Sequence, residues 1–277
     1  MTQESLTIGI ATRGRAELAG KVAEHTLRHC RADTRIVVLA DADDDLGAMV
    51  LPRDVILDVR PREDTVAGKW NRMMTAAPAQ VYMAMVDYRA QNTPGFDRNI
   101  LNAAALFPDG IGAVYQHMAN LSFPAYQCVT ARMADIMGHF YVEYFPYWFV
   151  DHWLDDICRM TGRYVYAEGE TVAFPRPGNG GTQEFREPGL WATLYDALQQ
   201  EREAIAEKLF ISMLIPEWQK DVLRAQWPLV QQRSQALNSI VRGMTGNAPF
   251  DDRYNRIRAA GISRLETLYY ELERRAA

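Results

Sequence analysis

Short apolar, β-branched runs alternate with helical patterns through the first third of the chain, and each run stops at a polar residue. Leu6-Thr7-Ile8-Gly9-Ile10-Ala11-Thr12 is the first run. Arg13-Gly14-Arg15 follows, and then a helical pattern through Leu18, Val22, His25 and Leu27. A second run, Thr34 to Ala40, ends in the acidic cluster Asp41, Asp43, Asp44 and Asp45, and a weaker one spans Val55–Val59. Gly68 to Ala77 reads as a helix, and Gln80 to Val86 as a buried strand that stops at Asp87. Uninterrupted apolar strands separated by helices are the signature of a mostly parallel sheet buried on both faces. Such sheets bind ligands beyond the carboxyl ends of their strands. Thr12 and Arg13, Asp41 and Asp43, and Asp87 are all expected at that edge.

The pattern continues with short strands at Gly112–Tyr115 and Cys128–Thr130, on either side of a loop Met118–Tyr126. A helix Ala131–His139, an aromatic cluster, a helix Asp151–Thr161 and a strand Val165–Phe174 come next. Pro175 to Thr182, rich in proline and glycine, breaks regular structure. From Leu190 the spacing of Leu190, Leu194 and Leu198, and later of Leu265, Leu268, Tyr269 and Leu272, is helical. The expected division is therefore an α/β domain over residues 1–189 and a helical region over 190–277.

Charge is distributed unevenly. The chain of 277 residues has a net charge of -5, with 18 Lys+Arg against 24 Asp+Glu in residues 1–189 and near balance after them. No basic field favours nucleic acid. Only four of the 30 basic residues are lysines, which singles out Lys69. The cysteines, Cys30, Cys128 and Cys158, are odd in number and widely spaced, so neither a disulfide framework nor a CxxC metal site is available. No basic region followed by an apolar run opens the sequence, and no stretch is long enough to span a bilayer. These features lead to the expectation of a cytoplasmic protein.

Three segments could carry chemistry. In Ala67-Gly68-Lys69-Trp70-Asn71-Arg72, Lys69 and Asn71 fall near an expected helix start, a place that favours anions. In Val86-Asp87-Tyr88-Arg89, followed by Thr93-Pro94-Gly95-Phe96-Asp97, a strand-end carboxylate precedes a loop that can aim it. In Tyr147-Trp148-Phe149-Val150-Asp151-His152-Trp153-Leu154-Asp155-Asp156, Asp151 lies near a helix start between two indoles that sugar carbons can stack on. A carboxylate there can serve as general base on a hydroxyl, or simply cap the helix.

In this order the segments resemble a glycosyltransferase of the GT-A fold, a Rossmann-like fold, close to the bacterial family 2 type. The resemblance covers roughly the first 180 residues. It implies a nucleotide-diphosphate sugar, UDP- or GDP-linked, held across the carboxyl edge of a mostly parallel sheet with helices on both faces. Thr12, Arg13 and Asp41 would line the base and ribose pocket, with Asp43 also among the donor-binding residues. Lys69 and Asn71 would contact the nucleotide or its phosphates. Asp87 would hold the first position of an Asp-x-Asp signature for Mn2+ or Mg2+. Asp151 would deprotonate the acceptor hydroxyl in a one-step inverting displacement, with His152, Trp148, Trp153 and Asp155 around the acceptor. The implied acceptor is a carbohydrate, as in polysaccharide biosynthesis, or a lipid-linked precursor at the periphery of the inner membrane. Self-association through the C-terminal helices is a further expectation.

Two departures qualify the metal. Tyr88 and Arg89 follow Asp87 where a further carboxylate is usual, and Phe174-Pro175-Arg176-Pro177 offers Arg176 where many members place a histidine. Arginine can itself neutralise a diphosphate leaving group. The expectation is that Arg89 and Arg176 replace the metal. Two other readings share these residues: a non-catalytic nucleotide- or sugar-binding scaffold, and a nucleotidyltransferase.

Overall fold

A computed structural model of the chain describes residues 5–63, 65–116, 125–145, 148–175 and 188–245. The main sheet has seven strands in the order β3-β2-β1-β4-β7-β6-β8. They are β1 (Ser5–Ala11), β2 (Asp33–Asp41), β3 (Val55–Arg60), β4 (Val81–Val86), β6 (Ala113–Gln116), β7 (Ala125–Thr130) and β8 (Tyr164–Tyr166). All run in one direction except β7, which lies antiparallel between β4 and β6. β1 is flanked on both sides by parallel partners, and all seven of its residues are buried. That placement explains why it reads as a continuous apolar run rather than an alternating one.

Alternation is still present, as a choice between two cores. Ile36 and Val38 face one cluster together with Leu6, Ile8, Ile10, Met83 and Met85, while Val37 and Leu39 face the other with Tyr82 and Ala84. The first cluster is covered by α1 (Ala16–His29) and α4 (Phe96–Ala104). The second is covered by α2 (Val66–Asn71), α3 (Met73–Ala76), α5 (Ala131–Met137) and α6 (Val150–Thr161). The helical region comprises α7 (Pro188–Ala197), α8 (Gln199–Ser212), α9 (Glu217–Arg224) and α10 (Trp227–Thr245). Trp191, Tyr195, Leu209 and Phe210 from it belong to that same second core.

Three local readings differ from the sequence expectation. The stretch 165–174 is two strands: β8 in the main sheet, and β9 (Thr171–Ala173) paired with β5 (Arg89–Gln91) in a separate ribbon. Gly169 lies between them, against the Gln116 side chain, where a Cβ would come within 1.9 Å of Nε2. The chain must bend there. The helix expected from Gly68 begins earlier, because Thr65 caps α2 and accepts a hydrogen bond from the Gly68 N–H at 3.0 Å. Lys69 therefore sits in the last turn of α2 and not near a helix start. Phe96 and Asp97, expected at the end of a loop, open α4, which runs to Ala104 with Phe96, Ile100 and Leu101 buried. Asp97 is spent inside the fold: its Oδ2 accepts the N–H groups of Arg31 and Ala32, both at 2.7 Å, and the Thr34 hydroxyl at 2.8 Å. Among the described residues no helix is long and apolar enough to cross a membrane.

Candidate active site

The loop Arg13-Gly14-Arg15 joins β1 to α1 and staples the carboxyl edge of the sheet. Gly14 adopts a φ of 66°, a left-handed turn that glycine makes without strain. Its N–H points at the Asp44 carboxylate, at 2.8 and 3.0 Å from the two oxygens. On one side of this turn, Arg13 reaches the end of β2. Its NH1 donates to Asp41 Oδ2 and Asp43 Oδ1, both at 2.9 Å, and its NH2 donates to Asp43 Oδ2 at 3.0 Å. The hydrogen bond from Arg13 pulls the Asp43 carboxyl down to about 2. On the other side, Arg15 reaches the end of β4. Its Nε donates to Asp87 Oδ2 at 2.9 Å, and its NH2 stands 2.8 Å from Oδ1. The Thr12 hydroxyl donates to the same Oδ2 at 2.9 Å.

Asp41 and Asp87 are each only 1% exposed. Carboxylates this deep need partners, or they neutralise. Lys69 supplies one for Asp41, donating to its Oδ2 at 2.6 Å and to the Thr12 carbonyl at 2.9 Å. Burial pushes the Lys69 ammonium down and the Asp87 carboxyl up, in each case against the pull of the partner. Arg72 extends the network, donating to Asp58 Oδ2 at 2.7 Å and to the Ala40 and Asp58 carbonyls at 3.0 and 2.8 Å.

Sequence and structure thus agree that Thr12, Arg13, Asp41, Asp43 and Asp87 meet at one edge, but the roles of several residues change. Lys69 is buried, with its ammonium bound to Asp41. Asn71 has all its hydrogen-bonding positions occupied by the loop after α5. Its Nδ2 donates to the Tyr141 carbonyl and to Glu143 Oε1, both at 2.9 Å, and its Oδ1 accepts the N–H groups of Phe140 and Tyr141 at 3.0 and 2.9 Å. It clamps that loop. Arg89 starts β5, half-buried, with its charge close enough to Tyr126 to oppose the burial that pushes that hydroxyl up to about 12. Arg176 lies outside the described residues.

The residues present do not fit a divalent metal at Asp87. Both of its oxygens face the Arg15 guanidinium, and position 89 brings a second cation where a ligand would be needed. Among the described residues no three His, Cys, Asp or Glu side chains gather in a way that could hold a metal.

The second part of the site is the first turn of α6. β7 runs antiparallel to β4, with Cys128 opposite Met83. The start of β7 therefore lies beside the end of β4. From there Gln127 donates from Nε2 to the Asp151 carbonyl at 2.9 Å and accepts the Tyr141 hydroxyl at 3.1 Å. This fixes the start of α6 close to the edge where Asp87 sits. Asp151 Oδ1 accepts the His152 N–H at 2.9 Å and lies 3.0 Å from His152 Nδ1, with the two side chains 33% and 28% exposed. Burial alone would raise the Asp151 carboxyl and lower the His152 ring. The mutual charge and hydrogen bond win, holding Asp151 below and His152 above their usual ranges.

Of the residues expected around an acceptor, His152 and Trp148 are half-buried, and Trp148 packs against the large core. Trp153 is 1% exposed and stands edge-on to Tyr144 and Tyr195, so its indole is a core element rather than a stacking platform. Asp155 is equally buried, bound to Arg159 at 2.9 Å and to Arg233 at 2.7 Å. Both point to the side of α6 covered by the helical region. Arg15 and Gln127 were not singled out from the sequence. The repeated Arg-Gly-Arg at a strand end was the one available signal for Arg15.

With this geometry in place, known structures give the class of fold. TarS residues 1–349 from S. aureus, in complex with UDP-GlcNAc, superposes with a TM-score of 0.56 at 11% identity, covering 92% of this chain and 79% of that one. A second TarS structure, with UDP, gives 0.52 at 10% identity, covering 80% and 70%. A mannosyltransferase, PcManGT from Pyrobaculum calidifontis, in complex with GDP-Man and Mn2+, gives 0.48 at 13% identity, covering 97% and 84%. No protein-family model matches the chain, and no curated protein is recognisably similar to it in sequence. The fold is the GT-A fold: a mixed α/β, mostly parallel sheet with helices on both faces.

Proposed function

We propose that this protein is an inverting glycosyltransferase that moves a sugar from a UDP- or GDP-linked donor to a hydroxyl acceptor, with Asp151 as general base. The observation that carries this reading is the placement of Asp151. It is a partly exposed carboxylate, kept ionised by His152, at the start of α6 beside the edge where β1, β2 and β4 of a GT-A sheet end. In the proposed step Asp151 takes the acceptor proton as the acceptor oxygen bonds to the anomeric carbon. The bond from that carbon to the diphosphate breaks, and the nucleoside diphosphate leaves with the electron pair. A base that remains deprotonated near neutral pH suits this role.

Donor recognition falls to the accessible members of the edge. Arg13 and Asp43, with side chains 26% and 52% exposed, are positioned to meet base and ribose. The diphosphate is met by arginine and not by metal: Arg89 follows Asp87 closely, and Arg176 is its sequence counterpart. The acceptor is a carbohydrate or lipid-linked hydroxyl.

Two measurements test this. Donor hydrolysis or transfer, assayed across UDP- and GDP-sugars, should persist in excess chelator; complete loss restored by Mn2+ or Mg2+ would remove the metal-independent mechanism. Asp151→Asn should abolish turnover while leaving nucleoside diphosphate binding in place, and full activity in that variant would remove Asp151 as the base.

A further inference from the structure

The first turn of α6 is held in an unusual way. Phe149, immediately before it, has a φ of 73°, a left-handed conformation for a residue with a bulky side chain. Strain of this kind persists only where the surroundings over-determine it. The surroundings come from the helical region. The Tyr195 ring of α7 lies 5.4 Å from the Phe149 ring, and its hydroxyl lies 3.0 Å from the His152 carbonyl and 2.5 Å from Asp156 Oδ2.

We propose that Tyr195 is a positioning residue for the Asp151–His152 pair, its hydroxyl tying the first turn of α6 to the buried acid Asp156. The proposal rests on the glycosyltransferase reading only for its link to turnover.

Proton counting supports it. A tyrosine hydroxyl has one proton to give, and the His152 carbonyl and an ionised Asp156 would both need to receive it. Both contacts become hydrogen bonds when Asp156 carries the acid proton. Asp156 then donates to Tyr195 Oη, and Tyr195 donates to the His152 carbonyl. Two features of Asp156 act in that direction. It is almost completely buried, and burial pushes its carboxyl up, aided by the charge of neighbouring Asp155 on α6. Opposing this are Tyr195 itself, Arg202 of α8 at 3.5 Å and the Ser234 hydroxyl of α10 at 2.7 and 2.8 Å. Arg202 also stacks on the Tyr195 ring, 3.9 Å from its centroid, and donates to the Tyr195 carbonyl at 2.6 Å. Tyr195 is thereby fixed from both sides, and through it α7, α8 and α10 form the rear wall of the site.

The test is the titration of the His152 ring, followed by NMR in the full chain. Tyr195→Phe removes one hydroxyl, and the His152 midpoint should fall back toward the ordinary value of about 6.5. Ser234→Ala removes another bond to Asp156 without touching the first turn, and should leave the midpoint where it is. The charges of Asp155 and Asp156 also raise the His152 ring, so both carboxyls stay in place in these two variants. Turnover of Tyr195→Phe should fall about tenfold in kcat with donor KM nearly unchanged, since a small misplacement of a base acts on the chemical step. An unmoved His152 midpoint in Tyr195→Phe, or an equal shift in Ser234→Ala, would overturn the proposal. If Tyr195→Phe does not fold, a slowly exchanging Tyr195 hydroxyl proton with a cross-peak to the first turn of α6 in the wild-type NMR spectrum upholds the proposal, and its absence overturns it. The titration needs no substrate, so a wild-type protein inactive on every nucleotide sugar would remove the proposed function and leave this result standing by itself.

Discussion

The strand edge and the first turn of α6 lie side by side, yet they manage charge in opposite ways. At the edge, Asp41 and Asp87 are buried and matched by Lys69, Arg13 and Arg15 through contacts of 2.6 to 2.9 Å. On α6, Asp151 has one histidine as partner and keeps about a third of its side chain exposed. A buried carboxylate held by cations holds a scaffold in place, since moving its proton would disturb everything that depends on its charge. A partly exposed carboxylate with a single partner can accept a proton and return it. The acidic surplus of the first 189 residues therefore serves two ends, and most of what gathers at the edge is architecture.

This contrast predicts that the edge and the turn separate under mutation. The largest effect on folding belongs to the edge. Asp41→Asn would leave the Lys69 ammonium buried with only the Thr12 carbonyl and an amide for company. Removing one partner of a buried pair costs about 3–5 kcal/mol, because the remaining charge is uncompensated. Denaturant unfolding should show a loss of that size. A loss under about 1 kcal/mol would mean that the edge is plastic and that the contrast fails.

Asp151→Asn should do the reverse. Its stability should stay within about 1 kcal/mol of wild type, as expected for an exposed pair. Its turnover should fall by about 10²–10⁴-fold, the usual contribution of a general base. Measuring both on one preparation is what sharpens the comparison. A variant that loses stability and turnover together would place Asp151 with the scaffold.

The line between legible and hidden features follows the same physics. The central strands were readable because two-sided burial leaves nothing but apolar residues, and the convergence of Thr12, Asp41 and Asp87 followed from strand ends alone. Pairing was not readable. Lys69 was expected at a phosphate because its partner Asp41 is 28 positions away in sequence, and only the fold brings the two together. Trp153 and Asp155 were expected at the acceptor because α6 was read without the helices that cover its far side. The same omission hid Tyr195. Short-range pattern locates elements and their ends, whereas the task each side chain takes up depends on what packs against it from elsewhere.

The smallest effect expected is on the pH dependence of stability, and it belongs to the turn. The folded value of His152 lies above its ordinary one of about 6.5 because the charge of Asp151 outweighs burial. The stabilisation it brings is fully present below about pH 6.5 and fades as the pH rises through the folded value. Asp151 is displaced the other way, so its contribution is present above about pH 4 and fades as the pH falls through its lowered folded value. Between those limits the pair contributes in full. His152→Asn should therefore flatten the decline of stability above pH 6.5, while the groups of the edge are common to both proteins and cancel in the comparison. Solvent screening of a pair this exposed keeps the change small, so thermal unfolding of wild type and variant should be compared across several pH values at one ionic strength. A wild-type curve that does not decline above pH 6.5 relative to His152→Asn would show that the Asp151–His152 contact is not an ion pair in solution, and would weaken the case that Asp151 is kept ionised for catalysis.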